Sequence, residues 1–390
     1  MNEIVSIPES EYKERVQRAA ELVRKNDLDL LLVNSNESDF SNARYFSGYW
    51  PLFETAGVAI NKSGDAVLII GPESQAFAED VSRIKSIFPL TEYRESADPS
   101  YPELQTSSYR DVFSALGVHK DRPRVGIGGY LVTTAVMIDG LREAFPGAEL
   151  IQADHIMTEL RARKSKSELA CMREGYRITE IALDRVIAKI EPGMTELELV
   201  GIAQKAIYEN GAEYEGLPMY IFGEKSTRHA ISRSSHRRIG NGDLVQLNLS
   251  ARVDGYSPSI GMPISLGPLN DEKRKVVEFG LKAHNWTIEH LGPGEKASQV
   301  AQEYKEFFRV NGMGENYLYG PCHGTGMIEV ERPWMETDSD YELEEGMTFQ
   351  VDTFTSEATF GVRWETGVVI TSDGCEILST PLGKIHELER

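Results

Sequence analysis

Two spacing patterns run along this chain and separate its halves. Over residues 9–25 apolar positions recur at helical spacing, and residues 28–33 follow as a short apolar run bounded by Asn26 and Asn34. A run of that length between polar breakers predicts a buried strand. Residues 58–60 and 66–70 predict a hairpin around Lys62-Ser63-Gly64-Asp65. Residues 74–81, 109–116 and 133–144 predict helices, and residues 124–127 and 149–151 predict strands. Alternation of this kind predicts an α/β layer on a mostly parallel or mixed sheet.

The polar, basic stretch Leu160-Arg161-Ala162-Arg163-Lys164-Ser165-Lys166-Ser167 breaks the pattern. It places one domain over residues 1–157 and a second over 158–390. Ser167 is expected to cap the long helix that follows to Ile190. The second domain repeats itself. Ile190-Glu191-Pro192-Gly193 returns as Leu291-Gly292-Pro293-Gly294, and Asn210-Gly211 as Asn311-Gly312; both offsets are 101 (291 − 190 and 311 − 210). Each Pro-Gly separates two helices, Thr195 with Glu198 reads as a capping box, and each Asn-Gly ends a helix. Each copy then reaches a glycine and a strand, so Gly242 matches Gly346 and Asn248 matches Asp352 at an offset of 104. Two copies of helix-helix-strand predict a pseudo-two-fold α/β domain with a site between the copies.

Composition narrows the partners. Lys plus Arg is 41 against 61 Asp plus Glu, a net charge of −20 over 390 residues. Such a chain repels phosphate backbones, so nucleic acid is not expected as a partner. Three cysteines, Cys171, Cys322 and Cys375, form neither a CxxC pair nor an even framework, which points to a reduced cytoplasm. No signal-peptide pattern opens the chain and no apolar run is long enough to span a membrane.

The chemistry-bearing residues lie in the second half. His323 sits in Pro321-Cys322-His323-Gly324-Thr325-Gly326, where glycines allow close approach of a ligand. Asp352 lies on an alternating strand that puts Gln350, Asp352 and Phe354 on one face. Glu365 follows in Gly361-Val362-Arg363-Trp364-Glu365, with Arg363 a candidate substrate contact. Asn248 interrupts an apolar strand, and Ser259 follows in Tyr256-Ser257-Pro258-Ser259. Buried carboxylates need partners, because a lone buried charge is costly.

In order and spacing these segments resemble the pita-bread hydrolases: aminopeptidase P, prolidase, methionine aminopeptidase and creatinase. The resemblance implies an N-terminal creatinase-like α/β domain followed by a pita-bread domain. Metal-dependent members of that group hold their ions with Asp, Asp, His, Glu and Glu. Here those places read Asn248, Ser259, His323, Asp352 and Glu365. Asn and Ser are neutral, so a dinuclear centre is not expected. A second His of the peptidases falls on Val330, which moves no proton. The metal-free creatinases share Leu247-Asn248, and their catalytic His corresponds to His229, with His236 as the alternative. They also carry a Glu at the place of Gly261 and an Arg near Thr55, which this chain lacks; Phe53 and Glu54 stand in that loop instead.

The resemblance therefore implies a creatinase-like hydrolase acting on a C–N bond of a small guanidino, ureido or amide compound, with no cofactor. In that reading His229, His323, Asp352 and Glu365 are catalytic, and Asn248, Ser259, Arg363, Phe53 and Glu54 bind substrate. The alternatives are an Xaa-Pro dipeptidase-like or aminopeptidase-like metallohydrolase with a single metal on His323, Asp352 and Glu365, and a non-catalytic binding homologue. Relatives in the group imply a homodimer in which an N-terminal loop of one subunit closes the site of the other; the aromatic segment 45–54 is the candidate loop, the alternative being an aromatic strand end in the core.

Overall fold

The computed structural model describes residues 5–218 and 220–389. The chain divides into two compact units, one formed by Ile7–Arg161 and the other by residues from Ala162 onward together with residues 5–6.

The N-terminal unit alternates α1 (Glu9–Lys25), β1 (Leu30–Ser35), α2 (Ser41–Ser47), β2 (Ala56–Asn61), β3 (Ala66–Ile70), α3 (Gln75–Val81), β4 (Ile87–Pro89), α4 (Tyr109–Ala115), β5 (Arg124–Gly128), α5 (Ala135–Ala144), β6 (Glu149–Gln152) and α6 (Asp154–Arg161). Its six strands run in the order β4-β3-β2-β1-β5-β6. The β2–β3 hairpin is antiparallel, while β1, β5 and β6 are parallel, so the sheet is mixed. Leu30, Leu32, Ile69, Val125, Ile127 and Phe113 fill one core beneath it. The aromatic segment 45–54 differs from the expected loop. Tyr45 and Phe46 lie inside α2 and are fully buried, as is Tyr49, because their rings complete the core. Only Leu52 and Phe53 project, Phe53 with 75% of its surface exposed.

The C-terminal unit opens with α7 (Lys166–Lys189). Its cap is Ser165 rather than Ser167: Ser165 Oγ accepts from Glu168 N at 3.1 Å while Glu168 Oε2 accepts from Ser165 N at 2.6 Å. Only Ser165 has an acid three residues on, which is what the reciprocal box requires. There follow α8 (Glu196–Glu209), β7 (Tyr214–Glu215), β8 (Tyr220–Phe222), α9 (Glu224–Thr227), β9 (Leu244–Arg252), β10 (Ser259–Leu266), α10 (Asp271–Glu289), α11 (Ala297–Val310), β11 (Cys322–Gly324), β12 (Glu331–Met335), β13 (Thr348–Ser356), β14 (Gly361–Thr371), β15 (Gly374–Ile377) and β16 (His386–Leu388).

Ten strands form one sheet with the path β12-β11-β13-β14-β10-β9-β7. The repeat is visible in it. Hairpin β9–β10 and hairpin β13–β14 are joined edge to edge by the antiparallel pairing of β10 with β14. The helices repeat as well, α7 packing on β9 and β10 and α10 on β13 and β14. Residue for residue, Asn248, Gly261, Glu365 and Asp352 face one another across the four central strands. The same offset of 104 that relates Asn248 to Asp352 relates Gly261 to Glu365 (365 − 261), so this row is symmetric about the seam between the copies. β9, β10 and nearly all of β13 are buried on both faces, so polar side chains there must find partners inside the unit.

Candidate functional site

The row across the seam is the floor of the site. Gly261 makes it possible: a Cβ there would lie 2.8 Å from Asn248 Oδ1 and 2.8 Å from Glu365 Cβ. Without a side chain between them, Asn248 Nδ2 reaches across and donates to Glu365 Oε2. Ser259 Oγ donates to the other oxygen, Oε1, at 2.7 Å. Both oxygens of Glu365 are thus held by neutral donors from the other hairpin. Gln350 Nε2 fixes Ser259 in turn, at 3.0 Å from its Oγ and 2.6 Å from its carbonyl. Gln246 Nε2 holds Asn248 Oδ1 at 3.0 Å, and Gln246 Oε1 accepts from Arg363 N at 2.8 Å.

Glu329 enters from the segment after β11. Its Oε1 lies 3.3 Å from Ser259 Oγ and 3.6 Å from His323 Nε2, and its carboxyl is within hydrogen-bonding reach of Glu365. His323 is buried and its Nδ1 lies 2.9 Å from the Gly324 carbonyl, so Nδ1 carries a proton and Nε2 faces the carboxyls. Burial, then the charges of Glu329 and Asp352, push the Glu365 carboxyl well above the usual range. Burial pushes Glu329 upward as well. Two carboxyls in contact hold a shared proton more readily than two charges.

Asp352 has other partners. Tyr319 Oη donates to its Oδ2 at 2.8 Å, and Arg363 Nε lies 3.0 Å from Oδ1. That ion pair is close but misaligned, so Oδ1 accepts no hydrogen bond. Arg363 Nη2 donates to Tyr319 Oη at 2.9 Å and to the Ala230 carbonyl at 3.0 Å. Burial is the largest single influence and would lower the Arg363 pKa, but Asp352, Tyr319 and Glu365 together outweigh it and hold the guanidinium firmly protonated. Tyr319 stacks on Phe354 with ring centroids 6.3 Å apart, and Trp334 lies 5.2 Å from the His323 ring, so one wall of the site is aromatic.

The residues named from sequence separate accordingly. Asn248, Ser259, His323, Glu365, Asp352 and Arg363 come together. His229 and His236 are exposed, and their side chains make no hydrogen bond or ion pair among the described residues. Phe53 and Glu54 belong to the N-terminal unit. Glu54 is no solvated loop acid: it is buried and accepts from Glu73 N and Ser74 N, both at 3.1 Å, and from Ser74 Oγ at 2.5 Å. Those donors occupy its carboxylate, which removes the grounds for assigning it to a substrate. Glu329, Tyr319 and Gln246 do not stand out in the sequence, and Gln350 does so only as a neighbour of Asp352 on one face of its strand. The one signal in the sequence was an acid beside Val330 in the segment that carries the second His of the peptidases.

Two tests of metal fit follow from these contacts. A dinuclear centre does not fit, since Asn248 and Ser259 are neutral and Asp352 already faces a buried guanidinium. One ion does fit the donor set. His323, Glu329 and Glu365 each offer a ligand atom, and these atoms lie within 4.8 Å of one another. The expectation of no cofactor is therefore not supported, and the alternative set changes: Glu329 replaces Asp352, which Arg363 and Tyr319 draw aside. Among the described residues no helix is long and apolar enough to cross a membrane.

Known proteins agree with this architecture. The "Creatinase/Prolidase N-terminal domain" profile matches residues 15–163, and that of "Metallopeptidase family M24" matches residues 170–372. The Xaa-Pro dipeptidase of Pyrococcus furiosus is 24% identical over 369 residues, 94% of this chain and 98% of that protein. The creatinase of a Bacillus species is 23% identical over 265 residues, 64% of each chain. The crystal structure of the prolidase from Pyrococcus horikoshii superposes with a TM-score of 0.80 at 23% identity, covering 95% of this chain and 99% of that one. With an N-terminal creatinase-like domain, a pita-bread domain and a family profile spanning more than half its length, the chain belongs to metallopeptidase family M24, and so to the hydrolases of C–N bonds.

Proposed function

We propose that this chain hydrolyses a peptide-like C–N bond of a small substrate at a one-metal centre held by His323, Glu329 and Glu365. The observation that carries the reading is the convergence of those three donors within 4.8 Å. The relatives favour a peptide-like substrate over the guanidino or ureido compound expected first, because Xaa-Pro dipeptidases predominate among them. When bound, the ion supplies Lewis-acid polarisation and a more acidic water. The chain's own residues do the rest. The Gly324 carbonyl fixes the His323 tautomer, and Asn248 and Ser259 fix the plane of the Glu365 carboxylate. Arg363, oriented by Asp352, Tyr319 and Ala230, binds a carbonyl or carboxylate oxygen of the substrate. Tyr319, Trp334 and Phe354 shed water from that wall. Val330 moves no proton, so His229, next in the chain to Ala230, is the proposed proton carrier to the leaving nitrogen. A homodimer in the reduced cytoplasm remains part of this proposal.

A second reading keeps the same residues without a metal. It is favoured by the neutral donors already on both Glu365 oxygens. Elemental mass spectrometry on protein purified without chelator or a metal-binding tag separates the two. A single transition-metal ion per chain, lost in Glu329→Gln together with turnover of Xaa-Pro dipeptides, is the expected result. Metal-free protein whose turnover is unchanged by chelator overturns the one-metal centre and leaves the second reading.

A further inference from the structure

Away from the carboxyl floor, the C-terminal unit carries a second built feature of opposite charge. Residues 225–238 contain Lys225, Arg228, Arg233, Arg237 and Arg238 and not one Asp or Glu, in a chain whose acids outnumber its bases by 61 to 41. The fold gathers four of these cations around one cavity of about 530 Å³, lined by Lys225, Arg228, Arg237 and Arg238 together with Glu224 and Asp243.

Of the two carboxylates, Glu224 is offset by a lysine outside the cavity, and Asp243 is tied to a backbone amide but keeps its charge. Glu224 forms an ion pair with Lys273 and accepts from Leu244 N at 3.0 Å. Asp243 accepts from Gly240 N at 2.7 Å. The guanidinium groups are anchored, each through a single nitrogen. Arg228 Nη1 donates to the Ala358 carbonyl at 3.1 Å and Arg238 Nη1 to the Gly193 carbonyl at 2.5 Å. Arg237 Nη1 lies 3.2 Å from Glu196, whose carboxylate is fully buried and also accepts from Gly223 N and Ser235 N. A guanidinium has five N–H donors, so each anchored group keeps most of its donors. Lys225 is exposed and makes no ion pair among the described residues. Three anchored guanidinium groups with donors to spare and one exposed ammonium, against the single uncompensated carboxylate of Asp243, match a compact oxyanion with more than one charge.

We infer that this cavity binds a small, multiply charged oxyanion of the phosphate type, at a site separate from the His323–Glu329–Glu365 centre. The inference does not rest on the proposed hydrolysis. The site connects to that centre through the backbone: Gly361 N donates to Thr227 Oγ1 at 3.1 Å, and the Ala230 carbonyl holds Arg363. An anion that tightens residues 225–230 therefore also steadies Arg363.

The test is calorimetric titration of the intact protein with inorganic phosphate at fixed ionic strength, with chloride as the matched control. Saturable binding is expected for phosphate and not for chloride. The Lys225→Ala/Arg238→Ala double variant is expected to weaken it by about tenfold or more, the loss of one or two charge-assisted hydrogen bonds. Lys225→Glu, at an exposed position without a partner, is expected to do the same with the fold intact. Glu329→Gln is expected to bind phosphate as the parent does. Absence of saturable binding, undiminished binding in both cavity variants, or loss of binding in Glu329→Gln overturns the inference, the last by moving the anion to the other centre.

Discussion

Gly261→Ala tests the floor of the site directly. The new methyl would sit 2.8 Å from Asn248 Oδ1, 3.0 Å from Asn248 Nδ2 and 2.8 Å from Glu365 Cβ. None of these can retreat easily, because all belong to central strands packed on both sides. Overpacking at a site of this kind costs about 1–3 kcal/mol. Turning Asn248 aside also removes its hydrogen bond to Glu365, a loss of roughly 0.5–1.5 kcal/mol for a carboxyl that shares its proton. The two losses share atoms and do not add in full, so about 1–4 kcal/mol is expected. For a unit of this size that lowers the melting temperature by roughly 2–15 °C. Differential scanning fluorimetry against Gly201→Ala makes the comparison clean. Gly201 lies within α8 and a Cβ there meets nothing within 4 Å, so that variant is expected to gain up to about 1 kcal/mol. Melting temperatures of Gly261→Ala and the parent within a degree or so of each other would refute the geometric argument, as would an equal loss in Gly201→Ala.

Other consequences can be checked alongside. His284 is buried in α10 with Nε2 3.2 Å from Thr366 Oγ1, and burial, outweighing the charge of Asp352, holds its pKa down from 6.5 to about 4. As pH falls through that interval the unfolded chain takes up a proton that the folded chain refuses, so stability declines, by up to about 3 kcal/mol once pH is below 4. Urea titrations from pH 7 to pH 4 should show a shallower decline in His284→Gln than in the parent; parallel slopes would exclude the His284 contribution. Asn248→Asp restores an acid against Glu365, so it should melt near the parent at pH 5 and well below it at pH 8 in metal-free buffer, with Mn²⁺ recovering the difference by mass action. An equal loss at both pH values would show that shape rather than charge decides the position.

The elements were largely legible because local pattern encodes them. The β2–β3 hairpin, the parallel strands of the first unit, the repeat and the capping box at Thr195 all follow from spacing or from residues within one turn of each other. The face of β13 that carries Gln350, Asp352 and Phe354 was legible for the same reason. Choice of partner was not. Glu365 is held by Asn248, 117 residues earlier, and by Ser259, 106 residues earlier, and only the register of four strands brings them together. Asp352 and Glu365 look equivalent as isolated acids, yet the tilt of Arg363 and Tyr319 takes one out of the donor cluster and leaves the other in. Glu329 was hidden because its place depends on the path of the loop between β11 and β12 rather than on any period.

The symmetric row across the seam decides how a substitution in the site is felt. Of its four positions, one copy of the repeat contributes both acids, Asp352 and Glu365, and the other contributes the neutral pair, Asn248 and Gly261. The two copies share one scaffold but act as host and guest: one brings charge, the other brings room and donors to receive it. A substitution in either half is judged by a residue about a hundred positions away in the other. The chemistry therefore belongs to the joint rather than to either copy.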